Sequence, residues 1–430
     1  MARYDRIAPI PAPARGTAFP GWLALRDLEE NERDADLARH VRLRFLALRP
    51  LRRLLAAGLA AVPQPSFERQ VESVREELGQ LSPRDPERAQ LARFLHSARG
   101  RSPAVLAEAC LDMGEAVEEA GHRYGAEEFY STAFELSDAM GLAAARAAAL
   151  RRLGTLYHRL SRPTDARRAL GEAAQAALAA GERGEWAQAA VAAAALARTE
   201  GDAAGARAML DEVARRGRAW GDPAVSALGL GALSALELAE GAPDRAVEHA
   251  WSALECAPTA PMRVAALGRL GAALRALGLH PAALRAFELA LTESGDEAER
   301  WRTEIELAVT SAEAANVSQF VAGRRRLLRE AKAEPPPRRT LALLHLRLGQ
   351  GCLLAGMPDF ARDHIREGIN LGRILGDAEL LRQLEDLLEL LERPGAADIP
   401  FAALRKAPAE RTLRIAGEIQ ASRQPVAAHS

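Results

Sequence analysis

Residues 150–177 read LRRLGTLYHRLSRPTDARRALGEAAQAA and set Gly154, Ala166, Leu170 and Ala173 at intervals of twelve, four and three. The same spacing recurs on both sides. Gly114/Ala126/Tyr130/Ala133 lie in 111–136, Gly271/Ala283/Phe287/Ala290 in 267–291, and Gly349/Ala361/Ile365/Gly368 in 344–369. Two weaker copies keep only the second half, Ala206/Leu210/Val213 and Ala246/Ala250/Ala253. The alanines at 126, 166, 206 and 246 keep an unvarying step of 40. Self-similarity at such a period marks stacked units, each too small to bury its own hydrophobic face.

A glycine inside a helix costs about 1 kcal/mol relative to alanine, so its return at one phase points to packing. The expected arrangement is a helix hairpin in which the glycine of the first helix faces the alanine of the second at their closest approach. On this expectation Gly114 faces Ala126, Gly154 faces Ala166, Gly271 faces Ala283 and Gly349 faces Ala361. Leu153 and Tyr157 beside Gly154, like Leu270 and Leu274 beside Gly271, then fill the space between helices.

Composition agrees. Apolar residues make up 48% and aromatics 4%; alanine, leucine and arginine dominate and β-branched residues are scarce, which favours helix over sheet. The formal net charge of −1 argues against a dedicated nucleic-acid surface. The only lysines are Lys332 and Lys406. Cys110, Cys256 and Cys352 are far apart, outside any CxxC or Cys/His cluster, so reduced thiols are expected rather than a disulfide framework or metal site. The N-terminal MARYDRIAPIPAPARG lacks the apolar run of a signal peptide, and the longest apolar stretch, 189–197, is too short to cross a bilayer. A cytoplasmic location is the expectation.

The phase Leu-Gly-x-x-Tyr, then Ala, then an aromatic or leucine, then Ala resembles the tetratricopeptide repeat, and the likeness covers about 102–375. The family's period is about 34 residues, shorter than the 40 seen here. Its early tryptophan is absent and the proline after its second helix is mostly missing. In these respects the chain is closer to the repeat domains of bacterial peptide-sensing regulators than to chaperone adaptors. The resemblance implies an all-α fold, an α-α superhelix with an N-terminal helical module and a C-terminal capping helix. It also implies a function: a scaffold or adaptor that binds a protein or peptide in a concave groove. The alternative is a regulatory sensor, in which a ligand in the groove controls how the N-terminal module meets another protein or DNA.

The expected organisation is a disordered arm over 1–20, a helical module over 21–99, the repeat array over 100–376, a capping helix over 377–394, and a short helix with a disordered tail over 395–430. Residues 297–330 fit the repeat poorly. In the N-terminal module an acidic stretch, 27–36, precedes a run holding Arg39, Arg42, Arg44, Arg49, Arg52 and Arg53. That run reads either as a basic surface for an anionic partner or as arginines bonded to the preceding acidic segment.

No catalytic motif is present: the sequence holds no HExxH, GxSxG or GxxxxGK[ST], and the histidines are scattered. No catalytic residue, metal or cofactor is expected. The family frame, with Gly154 at the eighth place of its helix, directs Arg151, Thr155, His158 and Arg159 into the groove. Arg198 and Arg275 follow from later repeats, over a floor that includes Ala195, Leu238 and Ala272. The first repeat adds Glu115, Glu118 and Glu119, making that end acidic. Spaced arginines on such a floor favour carboxylates.

Overall fold

In the computed structural model a residue with positive φ occurs at every twentieth position between 121 and 241: Gly121, Gly141, Ser161, Gly181, Gly201, Gly221 and Gly241. Next to each, a backbone bond closes back over the last turn of the helix. His122 N–H donates to the Val117 carbonyl at 3.0 Å and Asp222 N–H to that of Gly217 at 2.8 Å. This left-handed turn ends one helix and lets the next begin at once. Helix plus turn takes twenty residues and a hairpin forty, which is the source of the sequence period.

The structure describes residues 64–79, 86–99, 102–375, 377–392 and 408–422, with scattered positions between 40 and 55. Among these, all regular structure is helical. The chain divides into two compact units, residues 1–186 and 187–430.

The first unit holds α1 (Gln64–Leu78) and α2 (Pro86–Arg99), then the hairpins α3 (Pro103–Glu119) with α4 (Arg123–Ala139) and α5 (Ala143–Arg159) with α6 (Pro163–Ala180). The N-terminal helices and the first repeats share one core, in which Leu48, Leu51, Val71 and Leu91 join Leu106, Tyr130 and Leu156. Phe94 meets Phe129 edge-on at 5.5 Å, a favoured aromatic geometry. The arm, the acidic stretch and most of the arginine run lie outside the described residues. Of the six arginines named above only Arg44 is described, and it is fully buried, so the surface reading does not apply to it.

The unit boundary falls within α7 (Arg183–Thr199). Beyond it come α8 (Ala203–Ala219), the hairpins α9 (Pro223–Ala239) with α10 (Pro243–Cys256) and α11 (Ala260–Ala276) with α12 (His280–Glu293), then α13 (Glu297–Glu313) with α14 (Val317–Ala333) and α15 (Arg338–Leu354) with α16 (Pro358–Leu375). The two weak sequence copies are complete hairpins. Ala194 of α7 packs in one cluster with Ala206 and Leu210 of α8. Ser234 stands where the four clear repeats have glycine, and its hydroxyl donates to the Ala246 carbonyl at 2.8 Å.

The repeat glycines face a different neighbour from the one expected, which corrects the pairing of Gly114 with Ala126, Gly154 with Ala166 and Gly271 with Ala283. A Cβ on Gly114 would stand 2.5 Å from the Tyr130 ring, and its nearest neighbours all belong to Tyr130 rather than Ala126. One on Gly154 would stand 2.6 Å from Leu170 Cγ, with Leu170 rather than Ala166 around it. One on Gly271 would stand 2.7 Å from the Phe287 ring, which takes the place expected for Ala283. In the last repeat a Cβ on Gly349 would lie 3.1 Å from Ile365 and 3.7 Å from the Ala361 carbonyl oxygen. The physical reason is size. A methyl group leaves the crossing point unfilled, so the large side chain four residues further along the second helix reaches over the bare glycine instead. Ala126, Ala166, Ala283 and Ala361 remain packing residues, each fully buried, and their small side chains keep the backbones close. In the irregular repeat the sizes are exchanged. Ala308 stands at the glycine place and buried Phe320 at the alanine place, and Gly351 of the next repeat accommodates the Phe320 ring.

The helix α17 (Ala378–Glu392) lays Leu380, Leu384, Leu387 and Leu391 on Ile365, Ile369 and Leu375 of α16. Burying each such leucine contributes about 1.5–3 kcal/mol. The last helix, α18 (Glu410–Ala421), folds back and buries Ile415, Ala416 and Ile419 in the core of α10–α12. Its first turn is held by Asp244, whose Oδ1 accepts from Ala409 N–H at 2.8 Å and the Thr412 hydroxyl at 2.7 Å. Its end is held by Arg285, which donates to the Ser422 carbonyl at 3.1 and 2.6 Å.

Candidate functional site

Within each unit the first helices of successive hairpins touch one another: α3 meets α5 in the first unit, and α9, α11, α13, α15 and α17 form a row in the second. The second helix of each hairpin packs against one face of this row; on the other, Ala265, Gly268 and Ala272 of α11 are half-buried and Ala276 is exposed.

Most arginines on that face hold a carboxylate one repeat away. Arg151 Nε is 2.8 Å from Glu185. Arg152 grips Glu115 with two parallel bonds of 2.8 and 2.9 Å. Arg159 pairs with Glu118, whose other oxygen accepts from the Tyr130 hydroxyl at 3.0 Å. Burial first, and the Glu118 charge second, raise the Tyr130 pKa, which keeps the phenol a donor. In the second unit Glu306 of α13 is shared by Arg275 of α11 at 2.9 Å and Arg347 of α15 at 3.0 Å. Buried Glu237 is held by Arg207 at 2.8 Å and Arg245 at 2.9 Å. These contacts tie neighbouring hairpins and neutralise the charge between them.

The groove residues expected from the sequence therefore fall into two groups. Arg151, Arg159 and Arg275 are tied to carboxylates, and the Thr155 hydroxyl donates to the Arg151 carbonyl at 3.0 Å. His158 is half-buried. Glu115 and Glu118, read as an acidic end, are both paired; Glu119 is exposed. Arg198 is exposed and makes no ion pair among the described residues; its field helps depress the pKa of Glu379 on α17, after the hydrogen bonds from Arg382 and Gln383. Ala195 is exposed, and Leu238 and Ala272 are half-buried. Sequence reasoning passed over Arg269, which points across from α11 to Gly231 of α9. Its one signal is a place two residues before a repeat glycine.

A second polar cluster lies between α14, α15 and α16. Arg324 Nε donates to His364 Nε2 at 2.9 Å, and the His345 and His364 Nδ1 atoms are 3.1 Å apart. A guanidinium only donates, so the proton of neutral His364 is assigned to Nδ1, from which it reaches His345. Burial, then the neighbouring His345 and Arg324, push the His364 pKa down to about 3. Burial lowers the His345 pKa as well, so both imidazoles are neutral at pH 7. Among the described residues no group of three or more His, Cys, Asp or Glu is placed to hold a metal ion, and no helix is long and apolar enough to cross a membrane. Cys110, Cys256 and Cys352 are free thiols.

The glycine phase, the hairpins and the row of first helices define a tetratricopeptide-like all-α repeat protein. No family model and no curated protein matches the sequence. Solved structures with similar helical architecture include the apo form of the quorum sensor NprR from B. thuringiensis, 11% identical over 76% of this chain and 97% of that one, with a TM-score of 0.44. The Rap conjugation gene regulator of plasmid pLS20, in complex with the Phr* peptide, is 11% identical over 83% of this chain and 98% of that one, with a TM-score of 0.45. The tetratricopeptide-sensor STAND protein PH0952 from Pyrococcus horikoshii is 14% identical over 86% of this chain and 70% of that one, with a TM-score of 0.42. Likeness at this level concerns helical architecture alone.

Proposed function

We propose that this chain is a cytoplasmic scaffold or adaptor that binds a segment of another protein, or a peptide, along the first helices of its repeats, and that it is not an enzyme. The observation that carries this reading is the open face of α11. Ala265, Gly268, Ala272 and Ala276 share one helical face, and a Cβ on Gly268 would meet nothing within 4 Å. A floor of such small side chains lets a backbone approach closely, and the arginines at its edges orient what lies there.

Gly268→Leu fills this floor without disturbing the packing behind it. The parent, immobilised and exposed to a peptide library, retains a set of peptides; the variant, with an unchanged melting temperature, loses them. Retention of the same set by the folded variant refutes the site. Hydrogen exchange on the parent with a retained peptide then shows protection in 260–276, whereas protection confined to second helices contradicts the reading.

A further inference from the structure

Five described arginines of the first helices share an arrangement that Arg269 of α11 lacks. Arg151, Arg152, Arg159, Arg275 and Arg347 each hold a glutamate. Arg269 is mostly buried and has no hydrogen bond or ion pair among the described residues. Its guanidinium lies against the neighbouring first helix, with Nη1, Cζ and Nε at 2.9, 3.2 and 3.4 Å from where a Cβ on Gly231 would stand. A side chain at 231 would push the guanidinium out of this position. Burial lowers the Arg269 pKa, opposed by the charge of Glu299. A desolvated charge without a counter-charge is costly, and folded proteins keep one where a ligand completes it.

We infer that Arg269 is the receptor for a carboxylate of a peptide lying across α9 and α11, over Gly231 and Gly268. This rests on the groove reading above and adds the chemistry of the ligand. The remaining arginines near it on α11, Arg263 and Arg275, are already tied to Glu293 at 2.6 Å and to Glu306 at 2.9 Å. One positive charge is therefore left over, matching the single charge of a carboxylate rather than the double charge of a phosphate. The guanidinium fork donates to both carboxylate oxygens, while Gly268 leaves room for the peptide backbone beside it.

The carboxylate comes from an acidic side chain or from a free C-terminus, and three octapeptides distinguish the two. One alternates alanine and glutamate and is blocked at both ends. The second alternates alanine and glutamine with a free C-terminus, and the third is the same with both ends blocked. Calorimetric titration of the full chain gives binding of the first or the second and at least about tenfold weaker binding of the third. Arg269→Met reduces the carboxylate-dependent affinity by about tenfold or more. It also raises the melting temperature, because it removes an unpaired charge; an arginine kept for structural reasons would lower it. Failure of both carboxylate peptides to bind, unchanged binding by Arg269→Met, or a lower melting temperature in that variant overturns the proposal. Equal binding of the neutral peptide overturns it too, while leaving the groove as a peptide site.

Discussion

Gly154→Ala and Gly171→Ala place the same methyl group in two very different surroundings of one hairpin. At 154 the new Cβ stands 2.6 Å from Leu170 Cγ, 2.8 Å from its Cδ2 and 3.2 Å from its backbone nitrogen. Carbon contacts are at rest near about 3.5–4.0 Å, so α5 and α6 must part by about 1 Å or Leu170 must leave its rotamer. Leu170 is only 1% exposed and has no space to move into. Overpacking of this kind costs about 1–3 kcal/mol, and the better helix propensity of alanine returns about 1 kcal/mol. The net expectation is a loss of about 1 kcal/mol. At 171 nothing lies within 4 Å of the new Cβ, so only the propensity gain remains, a stabilisation of about 1 kcal/mol. The two variants should differ by about 2 kcal/mol in urea denaturation monitored by circular dichroism. Hydrogen exchange should place the Gly154→Ala weakening in 143–180 and adjoining hairpins, as nearest-neighbour coupling requires. If Gly154→Ala proved as stable as Gly171→Ala, the repeat phase assigned here would be wrong.

Three further outcomes follow from local geometry. Ser161 and Ala315 hold left-handed turns, φ 55° and 58°, that glycine holds elsewhere in the array; Ser161→Gly and Ala315→Gly should each stabilise by about 0.5–1 kcal/mol in chemical denaturation, and a loss would remove strain as the explanation. His364, held neutral with its pKa pushed down to about 3, binds a proton more readily unfolded than folded. Its contribution is therefore complete above about pH 6.5 and declines as pH falls toward 3, by about 1.4 kcal/mol per pH unit. His364→Gln should flatten that part of the stability–pH curve between about pH 7.5 and 5, and an unaltered slope would exclude the relay as its source. Asp244→Ala removes both bonds at the start of α18 and should cost that helix about 1–2 kcal/mol of docking. The readout is a several-fold faster amide exchange in 410–421 with 260–276 unchanged; unchanged exchange in 410–421 would mean that the apolar seat and the Arg285 bonds hold the helix without Asp244.

The helical class, the hairpin unit and the 40-residue step were legible in the sequence because they follow from local chemistry. A small residue must return wherever two helices cross, and a left-handed turn selects glycine. The twentieth-residue series Gly121, Gly141, Gly181, Gly201, Gly221 and Gly241 stood in the sequence as a second, unread form of the same period. The partner of each repeat glycine was not legible. Whether Gly114 meets Ala126 or Tyr130, Gly154 meets Ala166 or Leu170, and Gly271 meets Ala283 or Phe287 depends on helix crossing, which a one-dimensional spacing leaves open. The fate of the arginines also required the fold. Arg151, Arg159 and Arg275 look alike in sequence to Arg198 and Arg269, yet the first three reach Glu185, Glu118 and Glu306 on other helices. Such pairings depend on side-chain reach between helices that only stacking brings together. The seating of α18 on Asp244, 165 residues before Ala409, was hidden for the same reason. Short-range spacing records that the hairpin recurs; which side chains meet inside it, and which charges remain unpaired, is settled only when the helices cross and the hairpins stack.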